Sequence, residues 1–310
     1  MKISFCTLTL RSYLSSASLE RGYPSPDERR RLWEWLVKNG FDGIDLGETW
    51  YNFYDAPDKE LETLGKEARS FGLEISGLTV LRKIITPPAD EAVQLANRHK
   101  LRRAVYAAAL TGAPLVNLSI SPQPWEVGVR EQDLRGQADP VACSRRAQDR
   151  DYAHAAEFLE ALSIEAERLN IGLTLELHQN SIVDTADSLL LLLNRINRPK
   201  VKANPDLGNY YFAYAVPDGS WEDVVRKLAP HTDFWHVKNI QRVHVESEQR
   251  AYLFNAPLGE GMIDYRRALQ IMKDSGFDGC ISIEMASGGD PFACILAGKQ
   301  YLDGLIEEMS

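Results

Sequence analysis

The stretch IGLTLELHQNSIVDTADSLLLLLNRINRPKVKANPDLGN (171–209) reads as a strand, a helix and a second strand. The apolar, β-branched run 171–178 carries Glu176 and His178 at its end. A leucine-rich helical pattern covers 185–197, and VKANPDLGN (201–209) brings the chain back to Asp206. Two short strands joined by a helix form the repeating unit of a parallel α/β protein. The alternation extends both ways. Before this stretch come KISFCTLTL (2–10), GFDGIDLGE (40–48), LEISGLTV (73–80) and PLVNLSIS (114–121); after it come DFWHVKNI (233–240) and GCISIEM (279–285). Helices are expected from the Pro-Ser-Pro-Asp start at 24–27 onward, and over 58–71, 90–110, 146–169, 221–228, 264–275 and 290–309. Eight strands with eight helices give an α/β fold, a (β/α)8 TIM barrel, as a single domain over 1–310. An open doubly wound sheet has no support, because no GxGxxG or phosphate-binding glycine loop follows a strand. Two long connections, 121–145 and 240–261, both follow strands and so belong to the functional face of a barrel.

The echo between NGFDGIDLGE (39–48) and SGFDGCISIEM (275–285) fits a shared helix-to-strand turn, the first glycine suiting a left-handed helix C-cap. It sets the register, so that Glu48 and Glu284 both fall at strand ends. With 310 residues, 44% hydrophobic and 25% charged, the chain can bury a large core. A net charge of −9 argues against a nucleic-acid partner. Cys6, Cys143, Cys280 and Cys294 form no CxxC and no close pair, which argues against a disulfide framework or a thiolate zinc site and suits free thiols in a reducing cytoplasm. No apolar run reaches the roughly 18 residues of a membrane span, and the N-terminal apolar stretch, broken by Ser4, Thr7 and Thr9, reads as a barrel strand.

Glu176, Asp206, His236 and Glu284 stand at the ends of four consecutive strands. Neighbouring strands lie about 4.8 Å apart, so four inward side chains can converge on one ion. Three carboxylates gathered at a dry rim repel one another unless a cation lies between them. An oxygen-rich set with one imidazole suits Mn2+ first, then Mg2+ or Co2+, with Zn2+ and Fe2+ compatible. A salt bridge or strand cap would explain any one of these residues, but not all four in sequence. Glu48 and Asn117, which end two earlier strands, could contact a substrate or serve the barrel mouth. Trp50, Tyr51 and Trp125 are aromatics in early loops, suited to stacking on a ligand or to packing.

These residues resemble motifs of the xylose isomerase-like TIM-barrel superfamily, in its sugar isomerase/epimerase branch, which includes D-tagatose 3-epimerases, hydroxypyruvate isomerase and inosose dehydratase. The motifs are Glu176-Leu177-His178, Asp206-Leu207-Gly208-Asn209, His236-Val237-Lys238-Asn239 and the loop Pro257-Leu258-Gly259-Glu260-Gly261-Met262-Ile263-Asp264. Arg242, six residues past His236, stands where epimerases place a substrate-binding arginine. Three positions depart from the pattern: Asn209 replaces the usual His, Asn239 the usual Asp, and Ile182 stands where a further acid is expected.

The resemblance implies that Glu176 and Glu284 are both ligands and acid/base groups, with His178, Asn209 and Arg242 facing substrate; Lys238, a strand-end lysine, pairs with a carboxylate or touches substrate. It implies a small carbohydrate substrate and a homodimer or homotetramer. The expected activity is a divalent-metal-dependent isomerase or epimerase acting through an enediolate on a ketose, polyol-derived or sugar-acid substrate. The alternative is a lyase or dehydratase acting on a keto-sugar or keto-inositol through the same enolate. An abasic-site endonuclease, which shares the superfamily, is disfavoured by the net charge and the six histidines; a non-catalytic binding protein is disfavoured by the intact quartet.

Overall fold

The computed structural model describes residues 1–85, 91–121, 135–138, 140, 142–216, 219–284 and 289–309. Eight parallel strands form the barrel: β1 (Lys2–Cys6), β2 (Gly43–Gly47), β3 (Glu74–Ile84), β4 (Leu115–Ser121), β5 (Gly172–Glu176), β6 (Val201–Asn204), β7 (Phe234–Val237) and, last in the chain, β10 (Cys280–Ile283). The hydrogen-bonded order runs β6-β5-β4-β3-β2-β1-β10-β7. Ring closure falls between β6 and β7, where the ladder shrinks to one parallel bridge, Ala203 with Thr232. Side chains complete this seam. Asn204 Oδ1 accepts from the His236 amide at 2.8 Å, and Trp235 Nε1 donates to the Pro205 carbonyl at 3.0 Å.

Helices α1 (Ser16–Arg21), α2 (Pro26–Lys38), α3 (Asp58–Ser70), α4 (Glu91–Thr111), α5 (Asp149–Arg168), α6 (Ala186–Ile196), α7 (Leu207–Tyr210), α8 (Trp221–Leu228), α9 (Tyr265–Asp274) and α10 (Pro291–Glu308) account for every helix expected from sequence. They add two short ones, α1 and α7. The start of α2 shows why the chain turns helical there. Ser25 accepts from the Glu28 amide, Glu28 bonds back to the Ser25 amide, and Pro26 takes the first helical position. Between sheet and helices lies a continuous apolar layer in which Phe5 meets Trp35, Phe41 and Phe292, each at a ring separation of 5.8 Å.

Two expectations are corrected. The first strand stops at Cys6 rather than Leu10, and Thr7–Tyr13 form a 3-10 turn. Thr7 Oγ1 accepts from the Gly47 amide at 2.8 Å, and Leu8 packs so closely that a Cβ on Gly47 would meet its Cδ2 at 2.4 Å. The segment after β7 is not a plain loop. It folds as an antiparallel hairpin, β8 (Asn239–Val245) with β9 (Arg250–Ala256). Among the described residues no helix is long and apolar enough to cross a membrane. The four cysteines are free thiols.

Candidate metal centre

Inside the barrel a buried polar layer carries the site. Its members include Asp45, Thr79, Asn117, Thr174, Asn204, His236 and Ser282, from β2, β3, β4, β5, β6, β7 and β10. Asp45 shows that these side chains meet across the lumen. It lies on β2, yet its Oδ2 accepts from Ser282 on β10 at 2.9 Å and pairs with His236 Nε2 on β7 at 2.9 Å, while its Oδ1 accepts from Thr79 at 2.8 Å.

The four residues expected as ligands converge at the top of this layer. Glu176 ends β5, Asp206 caps the short helix after β6, His236 lies on β7, and Glu284 follows β10. One ligand atom from each lies within 4.8 Å of the others, and all four residues are buried. His236 Nδ1 stands 3.5 Å from Glu176 Oε2 and 3.4 Å from Glu284 Oε2. Asp206 divides its oxygens: Oδ1 accepts from the Gly208 and Asn209 amides at 3.0 and 3.3 Å, and Oδ2 turns to the site, 2.8 Å from the Lys238 ammonium. Lys238 also donates to Glu284 Oε2 at 2.7 Å.

The centre is short of positive charge. Burial pushes the Glu176 carboxyl up, against the pull of His236. Burial raises Asp206 well above the usual carboxylate range despite Lys238. For Glu284 burial is overcome by Lys238 and His236, which hold it well below that range. Burial disfavours the Lys238 ammonium, but Asp206, Glu284 and Glu176 keep it charged. Burial works against a charged His236 ring, but Asp45, Glu284 and Glu176 hold its pKa well above the usual range. Three carboxylates and Asp45 thus face Lys238 and one imidazole, and a divalent cation would supply the charge still missing.

The donor set fits such an ion. His236 Nδ1 is buried and has no hydrogen-bond partner, while Nε2 is committed to Asp45. A metal-binding imidazole is oriented in this way, with a carboxylate holding one nitrogen so that the other faces the ion. Cys6, Asp45 and His236 also lie within ligand distance of one another. However, Asp45 is already occupied by three donors, and burial pushes the Cys6 thiol well up, so the thiolate a metal requires is disfavoured.

Residues 33–305 match the model of a family described as xylose isomerase-like TIM barrel. The chain belongs to that family. Among curated relatives, the L-ribulose-5-phosphate 3-epimerase UlaE of Shigella boydii is 25% identical over 180 residues, which cover 57% of this chain and 58% of that enzyme. The match therefore spans little more than half of that relative's length. The 3-dehydroshikimate dehydratase of Bacillus anthracis is 23% identical over 289 residues, 89% of this chain and 88% of that one. A xylose isomerase-like TIM barrel protein from Mycobacterium smegmatis, in complex with magnesium, superposes with a TM-score of 0.76 at 21% identity over 98% of this chain and 96% of that one, a likeness of fold. This xylose isomerase-like barrel therefore carries a divalent-metal centre on a scaffold related to sugar epimerases and dehydratases.

The other residues singled out by sequence surround the centre in distinct ways. Asn117 Nδ2 donates to Glu176 Oε2 at 2.8 Å, and Asn209 Nδ2 to Glu176 Oε1 at 2.7 Å, so two amides clamp one carboxylate. Asn117 is itself held through its Oδ1 by Thr174 and Asn204. Between Asp206 and Asn209 stands Gly208, where a Cβ would meet the Lys238 side chain at 2.4 Å; the glycine lets the lysine stem cross to its carboxylates. The Tyr265 hydroxyl secures the Lys238 backbone, donating to its carbonyl at 2.7 Å and accepting from its amide at 3.1 Å. His178 is buried, with Nδ1 2.8 Å from the Gln179 carbonyl oxygen.

Glu48 accepts from Lys83 at 2.8 Å and from the Tyr54 hydroxyl. The Arg242 guanidinium donates to the Ala213 and Tyr214 carbonyls, binding hairpin β8–β9 to the chain after α7. Trp50 and Tyr51 are buried against Trp33 and Tyr23. Trp125 lies outside the described residues. Sequence reading passed over Asp45. Its signal was a charged residue inside a strand buried along its whole length, which demands a partner.

Proposed function

We propose that this barrel is a divalent-metal-dependent epimerase or isomerase that works through an enediolate on a ketose, polyol-derived or sugar-acid substrate. The observation that carries this reading is the placement of two glutamates about one imidazole: Glu176 and Glu284 approach His236 Nδ1 from β5 and β10, at 3.5 and 3.4 Å. A divalent ion, Mn2+ by preference, would be held by Glu176, Asp206, His236 and Glu284, and would supply Lewis-acid stabilisation of an enediolate. The two glutamates then divide the proton work. One takes the proton from the carbon next to the carbonyl, and the other returns a proton to the opposite face, giving an epimer. Return to the neighbouring carbon gives the isomer. Asn117 and Asn209 fix the Glu176 carboxylate, and Lys238 fixes Glu284, so both act from preset positions. His178, Arg242, Glu48, Asn117, Asn209 and Lys238 are the residues we place around the substrate, directly or through the glutamates they hold.

A dehydratase is the second reading. It is favoured by the match along 89% of the chain to the 3-dehydroshikimate dehydratase of Bacillus anthracis, since loss of a β-hydroxyl can follow the same proton abstraction. Proton NMR of ketoses and keto-inositols incubated in D2O with the metal-loaded protein separates the two. Epimers or isomers carrying deuterium at the α-carbon support the first, and loss of water supports the second. No exchange with any substrate would sink both. In the same preparations, elemental analysis of Glu284→Gln and Asp206→Asn is expected to show loss of the bound ion.

A further inference from the structure

Beside the metal centre lies a second cavity of about 230 Å3, lined in part by Gln179, Phe212, Ala213, Arg145 and Asp184. It adjoins the centre: Gln179 directly follows His178, and Phe212, on the cavity wall, also faces the Lys238 ammonium at 5.5 Å from its ring. Gln179 is 4% exposed, and neither its Oε1 nor its Nε2 has a hydrogen-bond partner. Leaving a buried amide unpaired at both ends is costly. Asn180, in the left-handed region at φ 53°, turns the chain directly after it.

A carboxamide with both a donor and an acceptor to satisfy matches a group that can also do both, which a hydroxyl can and a phosphate dianion cannot. The charges agree. Asp184 sets a carboxylate on the same wall, accepting from the Ser144 amide at 3.1 Å, and Arg146 donates to the Pro140 carbonyl at 3.2 Å, so the wall carries both signs of charge. Ala213 adds an apolar patch suited to sugar C–H groups, and the ring of Phe212 is covered by the Arg135 guanidinium at 4.3 Å. The volume lies below the roughly 300 Å3 at which drug-sized pockets begin, room for a short tail and not a nucleotide.

Building on the proposed epimerase site, we infer that this cavity is a subsite for a neutral, hydroxyl-bearing tail of the substrate, read by Gln179, and that the substrate is an unphosphorylated sugar at that end. The test is calorimetric titration of the metal-loaded full chain with dihydroxyacetone, which has no tail, with D-fructose and with D-fructose 6-phosphate. D-Fructose should bind about 10-fold tighter than either of the others, as expected for hydrogen bonds made to an otherwise unpaired amide. In Gln179→Leu the ratio of D-fructose to dihydroxyacetone affinity should fall to about one. The metal-free variant should melt no lower than the parent, because an unpaired buried amide has been removed. Equal ratios in the two proteins, tighter binding of the phosphate ester, or a variant that melts lower and loses all three ligands alike would overturn the subsite. Absence of deuterium exchange with a Gln179-dependent ratio intact would remove the epimerase reading and leave the subsite standing; exchange without that ratio would do the reverse.

Discussion

Asp45 decides which nitrogen of His236 faces the carboxylates. Its Oδ2 takes Nε2, so Nδ1 is left for an ion, and Thr79 and Ser282 hold Asp45 in turn. Supporting carboxylates of this kind contribute strongly to metal affinity. Asp45→Asn keeps the shape but lets an amide N–H confront Nε2. We expect metal affinity, measured by competition with a coloured chelator, to fall roughly 10–100-fold while circular dichroism stays unchanged; undiminished affinity would show that the imidazole needs no such anchor. The four ligands could be read in the sequence because each ends a short apolar run. Asp45 could not, because it lies mid-strand and its partners are 34, 191 and 237 residues away in the chain. Asn209 was legible through the family motif and Asn117 as a polar residue expected to end the fourth strand, but Asn117 lies inside β4 and Asn209 on α7, and their bonds to Glu176 depend on how closely β4, β5 and α7 approach one another.

At the scale of elements, Asn239 joins β7 to the loop that closes the hairpin. Its Nδ2 donates to the Leu258 and Ile263 carbonyls at 2.7 and 2.8 Å, and its Oδ1 accepts from the Ile240 and Ile263 amides. Gly261 lies so close that a Cβ there would meet Oδ1 at 2.0 Å. This geometry needs a group that donates and accepts, which accounts physically for asparagine where the family resemblance led us to expect aspartate. Asn239→Asp would set a carboxylate against two carbonyl oxygens, and the loss should be about 2–4 kcal/mol, read as a lower urea midpoint with the slope unchanged. The sequence located the barrel strands well because their apolar runs are bounded by turns. The hairpin escaped notice because its exposed face is mixed: Val243, Tyr252 and Phe254 are exposed beside Gln241 and His244, so the alternation of a half-buried strand is blurred. Helix α7 is a single turn around the Asp206 cap, too short for any periodic signal.

For the molecule as a whole, the net charge of −9 favours cations over anions, and the buried centre is one place where carboxylates gather. The three carboxylates of the centre are offset only by Lys238 and the His236 ring, and an ion that binds the folded chain and not the unfolded one would add stability by mass action. At a hundredfold excess over the dissociation constant the gain is about 2.7 kcal/mol, which for a chain of this size raises the melting temperature by roughly 4 °C. Stripping the ion with a chelator should return that increment, and restoring Mn2+ should recover it. A melting temperature indifferent to both would mean that the quartet holds nothing. The barrel itself was legible from the count of strands and helices, since parallel units leave few alternatives. Where the ring closes was not, because eight similar strands give no hint of which neighbours pair least.

That junction has a mechanical meaning. At β6 and β7 the ring is held by one bridge and a few side-chain bonds, while Asp206 stands on one bank and His236 on the other. An ion gripped by both is a rivet through the weakest point of a hoop. Losing it would slacken the barrel at one place on its circumference, where two of the four ligands stand.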